Sequence, residues 1–263
     1  MQMISYQVII GLHSIAEAIR NPARTLHELV ASEDGLKELR DKENLSKETL
    51  EKLKVSVVHP HKVQELAKSY IEDSSFTYTR IPSGCFLLAK PLETQDLADL
   101  YSIIDRKKEV RLLALDQVTD AHNGAAIVRT ASFYGVDAVI FSMKGNFGES
   151  PSFTRISSGA LEHMPLIRCG SLPQALKKIQ ERGITLVGLS EHSETKLSEI
   201  LGSEIMHCLV LGAEDVGLSH AVRRLVENTF ALAPRGQTKS LNVSVAGAIA
   251  MEMVFGQGES SQK

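Results

Sequence analysis

The sequence contains no tryptophan, only 5% aromatic residues and three cysteines in 263 residues. The cysteines, Cys85, Cys169 and Cys208, lie far apart and form no CxxC pair, so they indicate neither a disulfide framework nor a zinc site. The histidines do not indicate a metal either, because His59 and His61 flank a proline without an acidic or cysteine partner. We therefore expect no metal ion and no disulfide bond.

An excess of charge and long apolar runs are also missing. The formal net charge is −3 and neither half of the chain is basic, so a nucleic acid would be held by a local patch of charge. No stretch approaches the ~20 apolar residues that a membrane-spanning helix needs, and the first residues lack the basic region of a signal peptide. These absences predict a cytoplasmic globular protein without a membrane partner.

Three widespread motifs are absent as well. The sequence has neither the glycine fingerprint G-x-G-x-x-G nor the phosphate loop G-x-x-x-x-G-K-[ST], which argues against a nucleotide-dependent oxidoreductase. It also lacks the nucleophile elbow G-x-S-x-G, so a serine hydrolase is not indicated.

Short apolar, β-branched runs alternate with segments of helical spacing, which predicts an α/β fold with a parallel sheet. The predicted strands are Gln7–Ile10, Val55–Val58, Cys85–Ala89, Arg111–Asp116, Ala138–Ser142, Thr185–Leu189, Cys208–Leu211 and Thr229–Leu232. The predicted helices are Ser14–Arg20, Lys62–Ile71, Gly124–Tyr134, Leu172–Arg182, Ser219–Glu227 and Val243–Phe255. The charged region 33–54 is interpreted as a solvated helical face.

Two domains are predicted. An apolar strand ends at Lys90-Pro91, and an acidic amphipathic stretch follows before Arg106-Lys107-Lys108. We therefore expect a smaller α/β domain over residues 1–90 and a larger domain over residues 109–263. The segment between them, 91–108, is either a linker or a helix packed between the two.

Polar residues follow the strand that begins the larger domain. Asn123 lies in the polar turn after this strand and Arg129 in the second turn of the helix that follows. Both can face the crevice at the carboxyl ends of the strands, where open α/β sheets bind ligands. The alternative is that Asn123 is an N-cap and Arg129 a surface residue with its stem packed down. The local pattern leaves both readings open.

Two further segments carry similar signals. In CLVLGAEDVGLS a strand runs into Gly212, whose missing side chain would let a flat ligand lie against the main chain, and Glu214 follows. In SLNVSVAGA, Ser240 and Asn242 open a helix whose free N–H groups and dipole suit an anion. Ordinary turn geometry for Gly212 and plain helix capping by Ser240 or Asn242 are the alternatives.

Together and in this order, the three segments resemble the motifs of the SpoU/TrmH family of RNA ribose 2′-O-methyltransferases, N-x-G-A-x-x-R-T-A, G-x-E-x-x-G and S-L-N-V-S. The resemblance covers residues 111–255. VIIGLHSIAEAI and SGCFLLAKP make the N-terminal domain similar to the ribosomal-protein-like domain of members that modify a guanosine of large-subunit rRNA. The sequence departs from the pattern where Gly124 follows Asn123 directly, and where Leu232-Ala233-Pro234 replaces I-P-M.

The resemblance implies a fold, a cofactor and partners. The fold is a knotted (trefoil) α/β domain that binds S-adenosylmethionine (SAM), and the family's SAM-binding loops map onto Gly212, Leu232 and Leu241. The partners are RNA and a second copy of the chain, which would complete the active site across the dimer interface. A 23S rRNA guanosine is the favoured target. A tRNA target, or a catalytically silent RNA-binding protein of the same fold, is the alternative.

The resemblance also implies roles for five polar residues. Arg129 would hold the phosphate beside the target ribose, and Asn123 and Ser240 would position Arg129 or the ribose. Asn242 would fix the loop of the third motif, and Glu214 would orient an arginine or accept from a loop amide. In the N-terminal domain, the candidates for phosphate contacts are Arg20, Arg24, Lys37 and Arg40.

Overall fold

The computed structural model describes residues 6–71, 81–142, 150–195, 197, 206–238 and 240–256. In chain order, its strands are β1 (Gln7–Ile10), β2 (Leu26–Ala31), β3 (Val55–Val57), β4 (Cys85–Ala89), β5 (Val110–Leu115), β6 (Ala138–Ser142), β7 (Leu166–Cys169), β8 (Thr185–Leu189), β9 (Met206–Leu211) and β10 (Asn228–Phe230). Its α-helices are α1 (Leu12–Arg20), α2 (Glu33–Glu43), α3 (Lys47–Glu51), α4 (Pro60–Tyr70), α5 (Leu97–Arg106), α6 (Ala121–Phe133), α7 (Pro151–Ser157), α8 (Leu172–Gln180), α9 (His220–Arg223) and α10 (Val243–Phe255). None of these helices combines the length and apolar character that a membrane span requires.

Contacts divide the described residues into two compact units. The first lies within Met1–Glu93 and Gly148–His163, and the second within Thr94–Phe147 and Met164–Lys263. The sequence predicts a single domain over 109–263, but α7 belongs to the first unit, where it packs against β1 and α1. The partners of α7 lie more than a hundred residues away, so no local pattern could reveal this membership.

The first unit is built on a four-stranded sheet with the order β1-β4-β2-β3. β4 is antiparallel to both β1 and β2, whereas β2 and β3 are parallel. An apolar cluster covers each face of this sheet. The charged region 33–54 forms α2 and α3, with Leu39 buried in one of these clusters.

The second unit is built on a six-stranded sheet with the order β10-β8-β9-β5-β6-β7. Every neighbouring pair in it is parallel, which confirms the predicted α/β class. α5 begins with a capping box formed by Asp96 and Asp99, and it buries Leu100 and Ile104 in the core of this unit. The predicted linker is therefore largely a helix of the second unit.

The parallel arrangement brings several loops to one place. Because all six strands point the same way, their carboxyl ends share one edge of the sheet. Among the loops at this edge are those that follow β5, β8, β9 and β10. α6 and α10 pack against each other, and α10 also packs against β9, so the segments that carry the three motifs start from a common region of the second unit.

Candidate functional site

A cavity of about 400 Å³ opens at the carboxyl edge of the second sheet. Its walls come from the loop after β8, the loop after β9 and the segment that joins β10 to α10. The three residues predicted to bind the cofactor, Gly212, Leu232 and Leu241, all line it. This volume lies within the ~300–1,000 Å³ that small-molecule and cofactor sites have in proteins.

The wall from the β9 loop is a tight, closed turn. Ala213 N donates to Gly217 O at 3.1 Å, and Gly217 N donates to Ala213 O at 2.9 Å. Gly217 has a φ of +64°, and a Cβ on Gly212 would lie 2.2 Å from the carbonyl carbon of Gly217. Glycine is thus required at position 212 because the main chain of Gly217 in the same loop approaches it closely. The sequence-based expectation was that Gly212 leaves space for a flat ligand.

Three polar side chains from three segments meet beside this wall. Asn242 Nδ2 donates to Asn123 Oδ1 at 3.0 Å and lies 3.5 Å from both carboxylate oxygens of Glu214. Asn123 Nδ2 donates to Glu214 Oε2 at 3.4 Å. The start of α6, the β9 loop and the start of α10 are therefore joined by one hydrogen-bonded triad.

One of the two asparagines caps its helix and the other does not. Asp120, not Asn123, is the N-cap of α6, because its Oδ1 accepts from Asn123 N at 2.7 Å. Asn242 does cap α10, since its Oδ1 accepts from Ser244 N at 3.0 Å. The side-chain amide of Asn242 is free to take part in the triad at the same time. Capping and a site role are thus compatible for Asn242.

Glu214 and Ser240 line the cavity itself. Arg129 does not line it; this arginine is exposed on α6. Six residues along an α-helix correspond to about 600° of rotation, so Asn123 and Arg129 point about 120° apart and are separated by about 9 Å along the axis. Within the protomer the two side chains therefore point in different directions, and Asn123 does not line the cavity either.

Charged lining residues complete the cavity. Arg223 on α9 and Arg235 after β10 bring positive charge, and Glu191 and Asp215 bring negative charge. None of these four residues occupies a fixed position of the three motifs. The available signal was their position, since three of them follow predicted strands within four residues and Arg223 lies in the predicted helix Ser219–Glu227. A cavity with both signs of charge suits a ligand that carries both an ammonium and a carboxylate group.

The cysteines take no part in this site. All three are free and buried. Burial raises the pKa of the Cys169 thiol to about 11 and that of Cys85 to about 12, and it raises the pKa of Cys208 as well. Buried thiols of this kind are poor nucleophiles. Within the described ranges, no group of three or more histidine, cysteine or acidic residues is placed to hold a metal ion.

Comparison with known proteins places these features in context. Residues 111–252 match the model of the SpoU rRNA Methylase family. Over 251 residues the chain is 28% identical to the 23S rRNA (guanosine-2′-O-)-methyltransferase RlmB of Vibrio cholerae, a match that covers 94% of this chain and 96% of the relative. It is also 31% identical over 188 residues to an uncharacterized tRNA/rRNA methyltransferase of Synechocystis. That match covers 70% of the chain and 48% of the relative, so the chain spans about half the length of this protein.

A solved structure shares the fold. The SpoU methyltransferase AviRb from Streptomyces viridochromogenes, in complex with the cofactor AdoMet, superposes with a TM-score of 0.72 at 21% identity. The superposition covers 96% of this chain and 90% of that one. The α/β architecture with its parallel sheet is therefore an architecture already seen in a SpoU methyltransferase.

Proposed function

The chain belongs to the SpoU rRNA methylase family, and from this premise we propose that it transfers a methyl group from SAM to a ribose 2′-hydroxyl of RNA. A guanosine of 23S rRNA is the favoured target, because the Vibrio cholerae relative named for that reaction aligns along nearly the whole of both chains. The observation that carries the proposal is the cavity at the sheet edge, whose lining residue Glu214 is hydrogen-bonded to Asn123 and Asn242 of the other two motif segments. We place the enzyme in the cytoplasm, with its RNA.

The residues around the cavity fit SAM. Main-chain groups near Gly212, Leu232 and Leu241 would hold the adenosine, since these residues line the walls of the cavity. Arg223 or Arg235 suits the carboxylate of the methionine part, and the acidic lining residues suit its ammonium group. When bound there, SAM supplies the electrophilic methyl group.

The polar triad would organise the reacting ribose. Methyl transfer requires the 2′-oxygen to be held in line with the methyl group. Glu214 lines the cavity and is hydrogen-bonded to both asparagines, so the triad can fix the rim against which the ribose lies. Ser240, also on this rim, would contact the ribose. Arg129 would bind the adjacent phosphate, a task that suits its permanent charge and planar fork of donors.

A second copy of the chain would bring Arg129 to the site. In its own protomer Arg129 lies outside the cavity, on the exposed side of α6. The same helix exposes Phe133 (82%), and the neighbouring α10 exposes Val245 (49%) and Ile249 (42%). Contiguous exposed apolar patches are characteristic of protein interfaces, and these side chains lie on two helices that pack against each other. We therefore propose a homodimer through α6 and α10 in which Arg129 acts on the partner's cavity.

The knot and the substrate domain are part of the same proposal. β10 lies at one end of the sheet order, yet α10 packs against α6 and β9, so the chain returns from the edge towards the centre. This course is compatible with a trefoil knot formed by the segment between β10 and α10. The first unit would bind the RNA. Lys37 and Arg40 remain candidates for its phosphate contacts, whereas Arg24 does not, because its side chain is buried against Glu162.

A transfer assay tests the function. The full chain is incubated with SAM that carries a labelled methyl group and with purified 23S rRNA or tRNA, and 2′-O-methylated nucleotides are then mapped. We expect label on one guanosine of 23S rRNA. Label on tRNA alone would support the tRNA alternative. Binding of SAM without transfer to either RNA would support the silent RNA-binding protein.

A further inference from the structure

Asp116 is a buried acidic residue that the proposed mechanism does not use. It follows β5 directly and is 5% exposed. Its main-chain N donates to Leu211 O at 2.8 Å, and its carboxyl Oδ2 accepts from Ser219 N at 2.6 Å. Asp116 thus holds a residue directly before the β9 loop and another directly after it.

The segment between these two hydrogen bonds is one wall of the cavity. Every residue from Leu211 to Gly217 lines the cavity, and the bonds of Asp116 are to the flanking residues Leu211 and Ser219. Ser219 is also the N-cap of α9, the helix that presents Arg223 to the same cavity. The main chain of Asp116 therefore holds the start of the loop, and its side chain holds the end of the loop and the start of the short helix α9.

From this geometry we infer that Asp116 is a positioning residue for the cofactor site: it clamps the β9 loop in the shape that binds SAM. The inference rests on the proposed function, since it assumes that SAM is the ligand. If the clamp is lost, the loop adopts the binding shape for a smaller fraction of the time. The observed Kd for SAM then rises in inverse proportion to that fraction.

The second unit offers a matched control at the other end of the same strands. Asp137 precedes β6, its side chain is 10% exposed, and its Oδ2 accepts from Arg111 N at 2.8 Å. Like Asp116, it is a largely buried carboxyl group that accepts from a main-chain N–H, in this case that of Arg111 within β5. It lies at the amino end of the strands, away from the cavity lining.

The experiment compares Asp116→Ala, Asp116→Asn and Asp137→Ala in the full chain. Thermal unfolding shows that each variant is folded, calorimetry gives the Kd for SAM, and the transfer assay separates KM for SAM from kcat. We expect Asp116→Ala to raise Kd and KM at least about tenfold while kcat at saturating SAM falls less than about threefold. Asp116→Asn should stay within about threefold of wild type in Kd, because its amide oxygen can still accept from Ser219 N. Asp137→Ala should stay within about twofold, since it lies outside the clamp.

A pair of substitutions on the other side of the bond covers the case in which Asp116→Ala does not fold. Ser219 has a φ of −58°, which proline can adopt, so Ser219→Pro removes the donor, and Ser219→Ala removes the cap hydroxyl alone. Ser219→Pro should weaken SAM at least about tenfold relative to Ser219→Ala. The inference is overturned if folded Asp116→Ala binds SAM as tightly as wild type, or if Ser219→Pro binds it as tightly as Ser219→Ala. It is also overturned if Asp137→Ala weakens SAM binding as much as Asp116→Ala does. A wild-type chain that binds no SAM would overturn the proposed function instead.

Discussion

At the scale of single residues, Asn242 combines two tasks that one substitution can separate. Asn242→Asp keeps an oxygen to cap α10 but removes the amide that donates to Asn123 Oδ1 at 3.0 Å, and it places a second carboxylate beside Glu214. Because Asp is a good N-cap, we expect the free energy of unfolding to change by less than about 1 kcal/mol. We expect kcat for methyl transfer to fall by about 10²-fold, the cost of misplaced reacting groups.

A different cap provides the control for this prediction. Ser46 caps α3 in the first unit by accepting from Thr49 N at 3.1 Å. Ser46→Ala should lower stability by about 1 kcal/mol and leave kcat unchanged. Denaturant unfolding and initial rates at saturating SAM and RNA check both variants. A wild-type kcat in Asn242→Asp would show that the triad is not needed for the reaction.

The cysteines provide a second prediction at this scale. Burial raises the pKa of Cys85 to about 12 and of Cys169 to about 11, so at pH 8 almost no reactive thiolate is present in the folded protein. Iodoacetamide should leave all three cysteines unmodified in the native state and alkylate all three in denaturant, as measured by intact mass. Rapid alkylation of a native cysteine would contradict the packing around it.

The prediction of individual site residues from sequence had a definable limit. The resemblance to the family's motifs implied Gly212, Leu232 and Leu241 as cofactor-binding residues, and all three line the cavity. It did not fix the direction of Arg129, because that depends on how α6 is rotated against α10. The sequence places Asp116 at the end of the predicted strand Arg111–Asp116 but does not predict its role, because its bond to Ser219 N joins residues 103 positions apart along the chain.

At the scale of elements, the exposed apolar face of α6 and α10 should be an interface. Phe133→Glu and Ile249→Glu each place a charge in this face, so each should shift the protein from dimer to monomer, because an unpaired charge is costly in a buried interface. Sedimentation velocity at several concentrations measures the shift.

Val57→Glu is the control, since Val57 is also apolar and 49% exposed but lies in the first unit. This variant should stay dimeric. Dimers that persist in both face variants would argue for another interface.

The buried ion pair of the first unit should be important for its stability. Arg24 Nη2 and Glu162 Oε1 are 2.9 Å apart, with side chains only 1% and 3% exposed, and Asn21 Nδ2 donates to Glu162 Oε2 at 2.8 Å. Glu162→Ala leaves the arginine charge buried without its partner, which should cost about 3–5 kcal/mol. Denaturant unfolding of the full chain measures this loss.

A surface pair serves as the comparison for Glu162→Ala. Glu38 pairs with Lys42 on α2, where the lysine side chain is 65% exposed. Solvent screens such pairs, so Glu38→Ala should change stability by less than about 1 kcal/mol. Equal effects of the two substitutions would mean that the buried pair contributes no more than an exposed one.

The elements themselves were predictable where the burial pattern was simple. Gln7–Ile10, Cys85–Ala89 and Thr185–Leu189 are confirmed as strands to the residue, and Val243–Phe255 as a helix. β2 and β7 were missed because polar side chains interrupt their apolar runs. His27 and Glu28 lie within β2, next to a register shift against β4, and Arg168 lies within β7. Pairing with neighbouring strands, which only the tertiary structure supplies, makes these two segments strands.

At the scale of the whole molecule, a mixing experiment can test whether the active site is shared. If Arg129 acts on the partner's cavity, Arg129→Ala and Asn242→Asp subunits are each defective alone but complementary in a mixed dimer. Random re-association of equal amounts gives half mixed dimers, each with one intact site, so about a quarter of wild-type activity should return. If Arg129 acts in its own protomer, every mixed site carries one defect and no activity returns.

Because α7 belongs to the first unit, the folding of this unit depends on a segment that is synthesised late. Proteins fold as they emerge from the ribosome, with N-terminal parts first. In this chain, however, the ion pair of Arg24 with Glu162 and the hydrogen bond from Ser14 to Thr154 O need residues that are made much later. The N-terminal unit therefore cannot mature until residue 163 has left the exit tunnel, by which time β5 and β6 of the other unit have already been made. A nascent chain that is arrested before residue 163 has left the tunnel should be cleaved by protease within the first unit. A chain arrested after residue 163 has left should be protected at the same sites.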